Sequence, residues 1–188
     1  MLVSCGRSGM MICRMYGAAL AIAVAVHCTI TSEAALAEFK AVEAYDVGNW
    51  SFRAVIDDSS AQGACFISKA NDQGLLLSII VEQPKHRVSL AITGSEFRSR
   101  LADAADNDLT YVIDDNAPVE TMPVLQSASR VYIPLGKNFA ATEPLRHGEA
   151  IDFRTSAGVI ASFGLSGSSR ALDALKDCAG RYLNFGAF

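Results

Sequence analysis

The sequence predicts a mainly β fold: an antiparallel sandwich or barrel of about seven or eight strands with a C-terminal α-helix. Three observations point there. Apolar and polar residues alternate with period two in run after run between Trp50 and Leu165. Clusters of Asp, Asn, Gly and Pro separate those runs. Beyond Ser168 the period changes, and apolar residues recur at helical spacing.

In chain order, Trp50, Phe52, Ala54 and Ile56 face one way, with Ser51, Arg53 and Asp57 opposite. A turn spans Asp58 to Gly63, and a short strand from Ala64 to Ser68 carries Cys65. A second turn, Asn71 to Gly74, leads into Leu75 to Val81, apolar on both faces and therefore a central strand. Gln83, Pro84 and Lys85 break it. Arg87 to Thr93 alternates, with Val88, Leu90 and Ile92 on one face. From Ser95 to Ala105 the pattern fits a short helix or a loop, since Phe97 and Leu101 are one helical turn apart. Leu109, Tyr111 and Ile113 mark the next strand, and Asp114 to Pro118 a turn. Arg130 to Leu135 is a strand whose Pro134 confines it to an edge or an end. A short helix falls between Lys137 and His147 and ends at Gly148. Ile151 to Thr155 and Val159 to Leu165 flank Ser156, Ala157 and Gly158 as a hairpin. Ser168 then caps a helix whose apolar face is Ala171, Leu172, Leu175, Cys178, Ala179 and Tyr182.

The first 37 residues read as a cleavable secretory signal, leaving 38–188 as one exported domain. Arg7 and Arg14 precede an apolar stretch from Tyr16 to Val26, and no acidic residue occurs before Glu33. Ala35-Leu36-Ala37 places small residues at the −3 and −1 positions of a cut between Ala37 and Glu38. The apolar core falls short of the roughly 20 residues a membrane span needs. Translation starting at Met1, Met10 or Met11 preserves this layout. The expected location is the periplasm or beyond, as a secreted or outer-surface protein. The apolar run from Leu75 to Val81 is strand-sized, so no transmembrane span is expected after the signal.

The 151 residues after the cut suffice for one core. They carry 14 basic and 19 acidic side chains, interspersed, with no basic stripe. Nucleic acid is thereby disfavoured as a partner, since it demands clustered Lys and Arg. Of five cysteines, Cys5, Cys13 and Cys28 leave with the signal. Cys65 and Cys178 remain and are expected to pair in an oxidising compartment. They lack the Cys-x-x-Cys spacing of a redox pair. Closing so long a loop is worth roughly 4–5 kcal/mol if chain entropy alone is counted.

Gly48-Asn49-Trp50, the short strand with Cys65, the strand from Leu109 to Asp114, and Phe163 to Ser168 followed by Ala171, Leu172, Leu175 and Cys178 together resemble the invasion-associated locus B proteins of alphaproteobacteria. The resemblance extends over most of the chain after the signal, in pattern rather than in one diagnostic motif. It implies an exported, mainly β-sandwich protein of the cell envelope, linked in some pathogens to host-cell invasion, with no established enzymatic activity.

The residues offer few constellations for chemistry. Asp57-Asp58 and Asp114-Asp115 are the nearest to paired carboxylates, able in principle to bind a hard cation or act as acid and base. Each pair ends a strand, where Asp serves turn geometry. His86 and His147 each adjoin an Arg and lack the ligand spacing of a zinc site. Gly164-Leu-Ser-Gly-Ser168 departs from the nucleophile-elbow pattern at its last position, where Ser replaces Gly. Neither a cofactor nor a metal is expected.

The favoured expectation is a non-enzymatic binding module that meets a protein partner in the envelope or on a host surface. Asp58, Gln62, Asp114 and Asp115, in the loops Asp58–Gly63 and Asp114–Met122, are the candidate contacts. The alternative is a periplasmic hydrolase inhibitor, resembling lysozyme inhibitors, or a small hydrolase.

Overall fold

The computed structural model describes residues 40–57, 62–83, 85, 87–102, 109–127 and 129–185. The proposed signal, the cut at Ala37–Glu38, Asp58 and His86 lie outside them. Among the described residues, eleven strands form two antiparallel sheets. The seven-stranded sheet runs β1 (Lys40–Val47), β2 (Trp50–Asp57), β3 (Gln62–Ala70), β4 (Leu76–Gln83), β5 (Arg87–Thr93), β9 (Arg130–Gly136), β8 (Val124–Ser127). The four-stranded sheet runs β11 (Gly158–Gly164), β10 (Ala150–Thr155), β6 (Leu109–Ile113), β7 (Val119–Thr121). The helices are α1 (Ser95–Ala102), α2 (Glu143–His147) and α3 (Ser168–Tyr182). No helix among the described residues is long and apolar enough to cross a membrane.

Of the two architectures expected, the sandwich forms and the barrel does not: the sheets stay separate, each with two edges, and share one core. That core joins Trp50, Phe52, Ile67, Ile79, Leu90 and Ile133 of the larger sheet to Leu109, Ile113, Phe153 and Phe163 of the smaller. Phe153 meets Phe97 and Phe163 edge-on, with ring centroids 6.0 Å apart in each pair, a preferred aromatic geometry. The run expected from Leu75 to Val81 begins one residue before β4, which holds the middle of the seven strands; its residues from Leu77 to Val81 are buried on both faces.

The strand count exceeds the expected seven or eight by β1, β7 and β8. All three are edge strands. The alternation that betrays a strand comes from one buried face. β1 has six exposed and two half-buried residues, and so shows little such pattern. Pro134 lies within β9, which has a neighbour on both sides, but beyond the last residue that β8 pairs, Tyr132. The strand's end accommodates the proline as expected.

The C-terminal helix buries Ala171, Leu172, Leu175, Cys178 and Ala179 and packs on β2 and β3. Cys178 on this face is joined to Cys65 on β3, both fully buried, with Cα atoms 6.2 Å apart and a sequence separation of 113. The helix cap differs from expectation. Gly167 holds the cap position at φ +82°, a left-handed conformation glycine adopts at no steric cost. Ser168 starts the helix proper, buried, with its hydroxyl 3.5 Å from the Arg146 carbonyl.

Trp50 is fully buried, and its indole Nε1 donates to the Ser166 carbonyl at 3.1 Å. In the orientation that satisfies both its neighbours, the Asn49 amide donates to the same carbonyl and accepts from Lys69 Nζ. Lys69 also donates to the Gly164 carbonyl at 2.8 Å. The turn before α3 is thus fastened to β2 and β3 by side chains 95 to 116 residues away in sequence.

Candidate functional site

The four-stranded sheet ends at β7, and there the sandwich is open. On β6, Leu109, Tyr111 and Ile113 face the core; Tyr111 packs against Phe153, ring centroids 6.4 Å apart. Val119 stands opposite Tyr111 in the register, and directly opposed residues share a face. Val119 is nonetheless 43% exposed. The inner face of the sheet reaches β7 before the apolar layer covering it does.

A groove of about 480 Å³ occupies this place, lined by Tyr111, Ile113, Val119, Glu143, Pro144 and His147, with the 114–117 turn at one end. One wall is the β6–β7 hairpin; the other is α2. Pro144 sits in the first turn of α2, where a missing N–H costs nothing. Gly148 ends the helix. A Cβ there would fall 2.5 Å from Ile113 Cγ2 and 3.0 Å from the Pro144 carbonyl. Gly148→Ala is therefore expected to spread the groove walls and destabilise the protein by about 1–3 kcal/mol, measured by denaturant unfolding.

Asp114 and Asp115 play different parts. Asp114 adopts φ +52°, a conformation Asp tolerates better than most residues. Its carboxylate accepts from the Glu149 amide at 2.9 and 3.1 Å and from the Ala150 amide at 2.8 Å. It thereby ties the β6–β7 turn to the start of β10. Asp115 is exposed beside it. The expected results diverge: Asp114→Ala loses about 2 kcal/mol, from two orphaned amides and an unfavourable φ, whereas Asp115→Ala stays within about 0.5 kcal/mol. Chemical denaturation of the two variants checks this.

Gln62, expected in a loop, is the first residue of β3, exposed and paired with Asp57. It lies on the other sheet and does not share the groove. His147 is 77% exposed, its Nε2 3.6 Å from Glu143 Oε2 across one turn of α2. Arg146 points away, joining α2 to α3 through Asp173 at 2.8 Å. Burial pushes the Tyr111 phenol above the usual range. Among the described residues no three His, Cys, Asp or Glu side chains gather as a metal site would require.

The hairpin continues into a second notable stretch. Leaving β7 at the edge of one sheet, the chain crosses to β8 at the edge of the other. Val119, Met122 and Val124 are 43, 88 and 51% exposed. Three large apolar side chains are thus exposed within six residues of chain, denser than the scattered apolar exposure normal on surfaces.

These features define a class: a two-sheet β domain, stapled to its C-terminal helix by a disulfide, with an apolar edge and groove on its smaller sheet. The fold is known from a crystal structure. The chain is similar in structure to invasion associated protein B from Bartonella henselae, with a TM-score of 0.52 and 19% sequence identity, over 73% of this chain and 97% of that one. The similarity shows a common fold. No family model and no curated protein matches the chain.

Proposed function

We propose that this is an exported envelope protein that works by binding another protein, without catalysis, through the face formed by the β6–β7 hairpin and the crossing to β8. The observation that carries the reading is the exposure of Val119 on β7, Met122 in the connection and Val124 on β8, where the chain passes from the edge of one sheet to the edge of the other. Exposed sheet edges and apolar patches are the surfaces on which proteins add partners. Two further features support it. The buried Cys65–Cys178 disulfide suits an oxidising compartment. The common fold is shared with a protein whose name ties it to invasion, which makes a host surface one place to seek the partner and the bacterial envelope the other.

The test uses the exported protein, purified from the producing cells and immobilised. It is exposed to envelope extract and to host-membrane extract. The expected result is one saturable protein partner, captured at least tenfold less well by a Met122→Ser, Val124→Ser double variant. The loss of about 1.4 kcal/mol that this represents is typical of removing interface anchors. Recovery of the protein only from the cytosol, with Cys65 and Cys178 reduced, contradicts the reading.

A further inference from the structure

The groove beside the hairpin has a chemistry of its own, which narrows the partner. Its apolar lining residues include Ile113, Ala117, Val119 and Pro144, and its polar ones Asp114, Asn116, Glu143 and His147. Two of the lining residues are carboxylates and none is Lys or Arg. One of the carboxylates is held in place. Asp114 is fixed by the amides of Glu149 and Ala150, which occupy three of the roughly four acceptor sites of a carboxylate. Glu143 stands at the start of α2, with the basic side chains of Arg146 and His147 at 3.6 Å. Its side chain is 54% exposed, open to another cation. Beyond the lining residues, Asp115 and Glu149 are exposed next to them in sequence.

We propose that the groove seats an extended peptide segment of the partner, apolar where it meets Ile113 and Val119 and bearing Lys or Arg where it faces Glu143 and Asp114. The proposal rests on the protein-binding reading above and names the chemistry of what is bound. Three observations converge. Val119 is an inner-face position left without a covering layer, so an apolar side chain laid there completes the sandwich. β7 is the end strand of its sheet, and an edge strand offers unpaired backbone groups to an extended chain. The negative charges favour a cation and disfavour an acidic segment, since like charges brought together repel.

The test is a titration of the full-length exported protein, followed by amide chemical shifts. The probes are a capped five-residue peptide alternating Val and Lys, its Gln and Glu counterparts, and lysine amide alone. The expected result is movement of the Ala117, Val119 and His147 amides by the Lys peptide, with weakening at raised salt. Glu143→Gln is expected to weaken that binding about two- to fivefold, the range of one exposed charge pair, and Val119→Ser to weaken it independently of salt. Equal binding of the Lys and Glu peptides overturns the charge assignment. Lysine amide matching the peptide overturns the extended segment, and shifts confined to another face overturn the site. The outcomes also separate the two claims. A partner captured regardless of Glu143 and Val119 leaves protein binding standing and removes the groove from it. Lys-peptide binding with no captured partner does the reverse.

Discussion

Cys178→Ser is expected to lower the melting temperature by about 10 °C under oxidising conditions, as would reduction of the unaltered protein. The disulfide closes a 113-residue separation, and losing a native disulfide of this kind typically costs about 2–5 kcal/mol. For a domain of this size each kcal/mol is worth roughly 2–4 °C. Both sulfurs are fully buried between α3 and β3, so a serine hydroxyl placed there also lacks water. Most of the loss is expected in the variant whether or not reductant is added. Calorimetry with and without reductant checks this; an unchanged transition in the variant would mean that core packing alone holds α3 on the sheet.

Trp50→Ala is expected to cost still more, about 3–5 kcal/mol, the range for emptying a large buried aromatic site. The indole is fully buried and its N–H closes the turn before α3 through the Ser166 carbonyl. Trp50→Phe separates the two contributions. It keeps most of the apolar surface and drops the hydrogen bond, and is expected to lose about 1–2 kcal/mol from the bond together with a smaller cavity loss. Equilibrium unfolding in urea reads both. If Phe and Ala cost the same, the hydrogen bond rather than the packing anchors the turn.

The residues that made the fold legible in the sequence are those with one buried and one exposed face. Trp50, Phe52 and Ala54 alternate because β2 has such faces, and Leu172, Leu175 and Cys178 recur at helical spacing because α3 covers β2 and β3. Val42 and Tyr45 on β1 gave no such signal, since both sides of that strand are largely open. The groove was legible only in part. The turn at Asp114 and the stretch to Met122 stood out by composition, but nothing local links Tyr111 to Val119, Glu143 or His147. Strand register and the packing of α2 bring those residues together. Ser168 is the better side-chain acceptor, so the sequence points to it and not to Gly167 as the cap. The chain needs a left-handed residue there, and that need decides the position.

The central claim is that the protein works by binding through the β6–β7 face. Site-specific photo-crosslinking in living cells tests it most directly, with the photoreactive residue placed at Met122 and, in a control, at Val42 on β1, the edge strand of the other sheet. The account predicts one dominant protein adduct from Met122, absent from Val42 and lost when the Lys-bearing peptide is added in excess. The same adducts from both positions, or none from Met122, would contradict it.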